Sequence, residues 1–474
     1  LVVWPNKVNN QKKDTPLKEP MMPSTKTKRL PLIAVICGTA LLSPSLTIAG
    51  AGDGASNYGL GPMNVGSALA FSPFTSNSWS VYYNPAAMAR SEEGELSIVA
   101  QYGDQELRGK SLGGSAPLDR ENDVLSDSSS ELLLIGFKSR IAGISSTKRP
   151  IYFGLNVGTD EYTSNLLPYQ ANTSQEGQFL RYESQPLYLA FGGAVSNIIR
   201  GVDVGASARL TLEAKAKLET VSDLGGNTDS ENLSLEASPS LSPALGINIR
   251  SGEMFCGSSE CMPFGMDKLE VALFWRDESS YEVSVDANVV VPGVIPEPGL
   301  SLALSTIDTY QPEVLGAALL LPVGKFELTA GIEQHKWSAL EREFASDTIR
   351  DQANLAFDDI TIPRIGVSYQ WSESMKLFAG AALEDSPLKS NRSQDVNYLD
   401  TDKKIFGLGA SYRLANAPVL HMPLELAFAY QYQMLDEADF ELTSINSPSN
   451  PNSYETLRAD GEIQVFSSSL SLKF

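Results

Sequence analysis

The sequence predicts an all-β fold, a transmembrane antiparallel β-barrel of about 14 strands, on three observations. An export leader opens the chain, apolar and polar residues alternate with period two from Glu95 onward, and the last amphipathic segment ends on Phe474. Only every second residue of a barrel wall meets lipid, so such a chain crosses a membrane without a long apolar run. The composition agrees: 42% of residues are hydrophobic, too many for a disordered secreted chain, yet nothing beyond the leader supplies the roughly 18 consecutive apolar residues of a spanning helix.

The leader decides the compartment. Met21 and Met22 precede Lys26, Lys28 and Arg29, an apolar run from Leu30 to Leu42, and small residues around Thr47, Ala49 and Ala51. This is the order of a signal peptide over residues 21–49, with cleavage expected near Ala49 or Ala51. Residues 1–20 are polar and would defeat export if translated ahead of it, so they are expected to be a start-site artefact. Cys37 follows Ile36, where lipoprotein processing needs a small residue, and reads as a passive leader cysteine.

The net charge of -21 excludes nucleic acid as a partner, because phosphates demand a basic surface. Acidity gathers at Asp119, Glu121, Asp123 and Asp127, and at Glu341, Glu343, Asp347 and Asp351, in segments expected to be outer loops. Solvated, self-repelling loops explain this better than divalent cations bridging to lipopolysaccharide. Cys256 and Cys261 remain after cleavage, four residues apart in a Gly- and Ser-rich link; in an oxidising compartment they are expected to form a local disulfide clamp. No metal site, cofactor site or nucleotide loop is expected.

From Glu95 onward about fourteen segments alternate cleanly enough to assign faces. In the fifth, 202–219, Leu210, Leu212, Ala214, Ala216 and Leu218 oppose Arg209, Thr211, Glu213, Lys215, Lys217 and Glu219. In the tenth, 363–371, Ile365, Val367, Tyr369 and Trp371 oppose Arg364, Gly366, Ser368 and Gln370. In the thirteenth, 424–437, Leu424, Leu426, Phe428, Tyr430 and Tyr432 oppose Glu425, Ala427, Ala429, Gln431 and Gln433. Lipid outside and polar groups inside is the simplest assignment. The seventh segment is expected at 267–285. Short links near 322–324, 372–374 and 415–423 alternate with long ones near 108–130, 339–362 and 438–461, which puts both termini and the Cys256 link on the periplasmic side. Tyr369, Trp371 and Tyr412 then suit an interfacial girdle. The last segment, 462–474, carries Phe466, Leu470, Leu472 and Phe474 on one face and resembles the signal read by the barrel-assembly machinery.

The stretch GLGPMNVGSALAFSPFTSNSWSVYYNPAAMAR, Gly59 to Arg90, resembles the start of the FadL/TodX family of outer-membrane transporters for long-chain fatty acids and other hydrophobic compounds. The likeness recurs in HKWSALE from His335, PRIGVSYQW from Pro363, FAGAALEDSPL from Phe378 and IFGLGASYRL from Ile405. The resemblance implies an N-terminal hatch, residues 50–92, inside the lumen of a barrel formed by 93–474, with Asn84, Pro85 and Ala86 as its gating motif. Asn84 can cap the turn that follows and Pro85 suits a first helical position. SPFTSNSWS, from Ser72, departs from the family's acidic stretch there and puts hatch detail in doubt.

The resemblance further implies passive transport, with ligand caught by apolar outer loops and released laterally through the wall. Val294, Ile295 and Leu300, between prolines, fit such a ligand-entrance loop; the alternative is that this link folds inward or belongs to a strand end. Arg209, Lys215, Lys217, Arg276 and His335 fall on lumen parity and are the candidates to hold a fatty-acid carboxylate, although Glu213, Glu219, Glu270 and Glu333 share that face and favour ion pairing. An alkane or aromatic substrate needs no cation. A general porin leaves the hatch unexplained, and His335 and His421, the two histidines, lie in no serine–histidine–asparagine arrangement of a phospholipase, so no enzyme is expected. A plug-bearing scaffold for secretion or conjugation remains the alternative. The chain is expected to be a monomer in the bacterial outer membrane, surrounded by lipid and lipopolysaccharide.

Overall fold

Fourteen antiparallel strands close on themselves. The computed structural model describes residues 54–114, 128–143, 148–160, 166–169, 178–181, 187–222, 228–256, 263–291, 295–345, 356–389, 392–394, 400–415, 422–443 and 453–474, with backbone alone at 211–240 and 281–309. The wall strands are β1 (Glu95–Gly114), β2 (Ser128–Arg140), β3 (Ile151–Asp160), β4 (Leu187–Ile199), β5 (Val202–Ser222), β6 (Thr228–Arg250) and β7 (Glu270–Arg276). They continue as β8 (Val314–Val323), β9 (Phe326–His335), β10 (Ile360–Gln370), β11 (Met375–Glu384), β12 (Lys403–Leu414), β13 (Leu424–Thr443) and β14 (Ser453–Lys473). Each pairs with the next, and β1 pairs with both β2 and β14, placing Glu95 opposite Lys138 on one side and Lys473 on the other. Closure leaves no wall edge in the hydrocarbon, where an unbonded peptide group costs several kcal/mol.

The seam is locked by the last residue. Gly94 N donates to the Phe474 carbonyl at 2.7 Å, Phe474 N returns a bond to Gly94 at 3.1 Å, and the Phe474 ring stacks on Phe137 with centroids 6.3 Å apart. Period-two faces follow the expected parity. Phe428 and Leu408 are 62% and 60% exposed on the outer surface, whereas Ala427, Ala429, Gln431 and Gln433 are buried inside. Trp371 and Tyr412 are exposed near the short-turn ends, with Trp371 packed edge-on against Tyr369. Among the described residues no helix is long and apolar enough to cross a membrane.

Three expected links are structured instead. The long link 339–362 holds a helix, Ser338–Ala345, and Glu341 within it accepts a hydrogen bond from Phe357 N at 2.7 Å rather than serving only as solvated charge. The link 438–461 is mostly strand, since β13 runs to Thr443 and β14 starts at Ser453. The seventh segment divides: β7 ends at Arg276, and a new strand, Ser279–Val291, forms a hairpin with Ile295–Gln311. The link from Val289 to Leu302, read as an outer loop, is the tip of that hairpin, because Val289 pairs with Leu300 and Val291 with Ile295. Alternating β-branched and leucine residues favour strand over irregular loop once a partner is in register. Ile295 and Leu300 therefore lie in a strand, and Val294 falls outside the described residues.

A charge on the outer surface has no polar partner at mid-band. Phe428→Arg is expected to destabilise the folded barrel by about 2–4 kcal/mol in lipid vesicles, read from its denaturant midpoint. A change below about 0.5 kcal/mol would place Phe428 away from the hydrocarbon.

Candidate functional site

The segment 54–90 contains only short turns: Gly54–Asn57, Pro62–Gly66, Ser72–Phe74, Ser80–Tyr83 and Pro85–Arg90. Helices this short leave most of their carbonyls without internal donors. Yet the segment is buried, with Leu60, Val65, Ala86 and Met88 at 0% exposure, so its peptide groups must find partners elsewhere. The inner face of the wall provides them.

Lys138 donates to the carbonyls of Ser76 and Ser91 at 2.7 and 2.8 Å, Asn156 to Ser78 at 3.1 Å, and Ser207 to Val81 at 2.6 Å. Arg364 donates to Ala68 at 3.0 Å, Thr329 to Ala70 at 3.2 Å, and Gln431 to Tyr58 and Val65 at 3.2 and 3.0 Å. On four strands the donor stands two residues from a glycine on the same face, Gly136 with Lys138, Gly154 with Asn156, Gly205 with Ser207 and Gly366 with Arg364, and on a fifth Gly246 stands likewise to Asn248, which accepts from Asn84. The glycine admits the segment and the donor holds it. A Cβ at Gly205 would stand 2.4 Å from Ala86 N, and one at Gly246 1.8 Å from Asn84 Oδ1.

Asn84 is the most fully engaged residue of the expected gating motif. Its Oδ1 accepts from Ala86 N at 3.2 Å, capping the 3₁₀ turn that Pro85 opens, while its Nδ2 donates to the Pro73 carbonyl at 2.8 Å and to Asn248 Oδ1 at 2.7 Å. Arg90, at the end of that turn, forms a two-point pair with Glu270 at 2.7 and 3.0 Å and also bonds the Phe74 carbonyl. Tyr83 ties the segment to itself, accepting from Leu60 N at 2.7 Å and donating to the Ala55 carbonyl at 2.8 Å.

The expected lumen cations divide into two groups. Arg209, Arg276 and His335 do face the interior, but each is engaged. The Arg209 guanidinium bonds Gln311 and lies over the rings of Tyr82 and Tyr188 at 5.9 and 5.4 Å. Arg276 is 8% exposed, over Tyr82, Tyr83 and Phe274 at 5.2, 5.7 and 5.6 Å; one of its nitrogens lacks a hydrogen bond, but three rings enclose it. His335 lies 3.0 Å from Glu333, which Arg364 and Arg276 also approach at 3.6 and 3.9 Å. Lys215 and Lys217 lie on β5 beyond Leu210, the last residue that β4 pairs, and are not brought to this cluster. Cys256 is disulfide-bonded at the short-turn end; Cys261 and His421 lie outside the described residues.

Above the segment an apolar cluster gathers Tyr310, Trp337, Leu340, Phe357, Ile362 and Ile405 around Ala68. Below it, toward the short turns, a cavity of about 600 Å³ is lined by charge, including Glu93, Glu95, Glu327, Lys376, Arg413 and Lys473. Sequence reading passed over Arg364, Lys138, Asn156, Asn248 and Gln431 as functional residues, and their recurring two-residue spacing from glycine is the signal that marks most of them.

A closed, lipid-faced barrel whose interior is tied to its own N-terminal segment defines an outer-membrane channel protein. Residues 315–474 match the family described as outer membrane protein transport protein (OMPP1/FadL/TodX). Over 455 residues the chain is 40% identical to alkane uptake protein A of Marinobacter nauticus, covering 94% of this chain and 97% of that one. It shares its fold with a Pseudomonas aeruginosa FadL homologue (TM-score 0.58, 14% identity, 87% of this chain and 98% of that one) and with the Pseudomonas putida toluene transporter TodX (TM-score 0.53, 12% identity, 88% and 99%). The chain belongs to the FadL/TodX family of outer-membrane transport proteins, and its role is transport rather than catalysis.

Two substitutions separate space from bonding at the Asn84 contact. Asn248→Ala is expected to weaken docking of residues 80–90 by about 1–3 kcal/mol, and Gly246→Val to displace them. Hydrogen exchange should accelerate at amides 80–90 in both variants while β13 and β14 stay protected. Equal acceleration throughout the barrel would refute a local clamp.

Proposed function

We propose that this protein is a passive conduit for neutral hydrocarbons of the alkane class, with residues 54–90 acting as its hatch. The observation that carries the reading is the engagement of the buried cations. A fatty-acid carboxylate in an apolar lumen needs a cation of its own, because an unpaired buried anion costs several kcal/mol. Arg209, Arg276, Arg364 and His335 instead engage the segment, Gln311 or the buried Glu333, so the interior suits a substrate without charge. The relative named for alkane uptake points the same way.

In this reading Val294, Ile295 and Leu300, at the tip of the hairpin, receive the hydrocarbon, and the cluster of Trp337, Ile362 and Ile405 passes it down to the hatch. Asn84, Pro85 and Ala86 form the gating turn. Onward passage through the charged lower cavity would desolvate carboxylates and ammonium groups without compensation, which favours lateral release into the membrane over axial exit. The leader at 21–49 delivers the chain to the periplasm, the Phe474 strand recruits the barrel-assembly machinery, and the barrel works as a monomer among lipid and lipopolysaccharide.

The test is uptake of labelled hexadecane and labelled oleate by cells lacking their own hydrophobic transporter and complemented with this chain. Hexadecane uptake is expected to exceed the empty-vector level several-fold and to fall at least twofold in Asn84→Ala, with oleate near background. Oleate uptake matching that of hexadecane, and abolished by Arg276→Leu, would instead assign the lumen to a carboxylate. No uptake of either, from a folded barrel, would favour a scaffold role.

A further inference from the structure

The hairpin and the upper parts of β5 and β6 form a four-stranded extension of the wall sheet. β4 pairs with β5 only as far as Leu210, and from Ala214 to Val221 the vacated edge is taken by the hairpin strand Ser279–Val291, running parallel to β5. β6 follows β5 throughout, so four strands lie side by side: Ile295–Gln311, Ser279–Val291, β5 and β6. β5 is 21 residues long, about 69 Å along the strand, and even at a tilt near 40° it overshoots an apolar band of about 25 Å by roughly as much again.

The register sorts this sheet into two unlike faces. Leu304, Val285, Ala216 and Leu235 stand in one rung, and Leu302, Ala287, Leu218 and Leu233 in the next rung of the same face. The opposite face carries Ser305, Ser284, Lys215 and Glu236, then Ala303, Asp286, Lys217 and Ser234. The apolar face holds the same strand parity as Leu241 and Leu245 lower on β6, which are 59% and 51% exposed on the lipid-facing wall. It is therefore the upward continuation of a surface that acyl chains already wet.

We infer that this face is a docking surface for a condensed hydrocarbon phase, an oil droplet or the core of a surfactant micelle, and that substrate enters from that phase rather than from solution. The size of the face selects this occupant over a second copy of the chain. Four strands about 4.8 Å apart and some six or seven residues high present roughly 400 Å², half of the about 800 Å² per partner that a stable protein interface buries. A liquid apolar phase needs neither shape complementarity nor a minimum area, and continuity with the lipid-facing wall lets it spread onto the barrel. The inference rests on the hydrocarbon reading above and adds the physical state in which substrate is taken.

The test uses outer-membrane vesicles carrying the full chain and a variant in which Val285, Leu235, Leu302 and Leu304 are each replaced by threonine, a residue that keeps strand propensity. Folding is checked by heat-modifiable gel migration. Wild-type vesicles are expected to float with hexadecane droplets, and the folded variant to lose this at least fivefold. In complemented cells, hexadecane uptake from droplets or surfactant micelles should fall by a similar factor, while uptake of hexadecane delivered singly by cyclodextrin stays within twofold of wild type. Retained flotation by the variant, equal loss of uptake from every source, or a wild-type dimer cross-linked through this face would each overturn the inference. Failure of transport itself reads out separately, as absent cyclodextrin-delivered uptake in the wild type, and leaves the flotation comparison decisive for the docking surface.

Discussion

Backbone carbonyls that water cannot reach govern this structure twice over. In the wall they force closure, because an open edge in hydrocarbon leaves a row of unbonded peptide groups, and the seam between β1 and β14 is completed by Gly94 and Phe474 themselves. Inside the barrel the same constraint acts on a segment too irregular to bond itself. Its carbonyls are met by Lys138, Asn156, Ser207, Arg364 and Gln431, each on the inner parity of a strand. The polar lumen is thus in large part a complement to one stretch of chain.

Most of the wall was legible because period two is a strong signal when one face meets lipid and the other does not. All fourteen wall strands overlap the fourteen segments read from alternation. Failure came where an alternating stretch serves another surface. The run through Ser279–Val291 alternates as well as any wall strand, but its partner is β5 in parallel, 69 residues back in sequence (Val283 opposite Ala214), and no local pattern announces such a pairing. The helix Ser338–Ala345 was hidden for a different reason: a single short element of eight residues yields little periodicity.

The site was legible in its motif and obscure in its partners. Asn84 and Pro85 carry local rules, a capping side chain and a residue suited to a first turn, and both appear in the structure. Asn248 carries no such rule, since an inward Asn in a strand looks the same whether it grips a hatch or faces water. Cations drew attention as ligands for an anion because charge is conspicuous in sequence. What sequence could not display is that Tyr82 lies against both Arg209 and Arg276, and Tyr83 against Arg276, which turns two candidate ligand-binding groups into clamps.

The way the segment is held also bounds how it moves if it gates. Taking about 1 kcal/mol as the net worth of each of eight wall bonds to its carbonyls, lifting the whole segment costs about 8 kcal/mol and leaves roughly one molecule in a million open. A local shift is far cheaper, and the structure has a place suited to it. Ala68 and Leu69 hold left-handed backbone at φ 49° and 66°, a conformation that costs non-glycine residues about 1–3 kcal/mol each. They are held there by the Arg364 and Thr329 bonds to Ala68 and Ala70. Releasing those two bonds frees strain that offsets their loss, and Ala68 already packs in the apolar cluster with Ile362 and Ile405. On the reading proposed above, displacement by a hydrocarbon would begin at Ala68 to Ala70, where it is least costly, and reach the Asn84 gating turn last, because that turn is bonded on β6 and backed by Gly205 and Gly246.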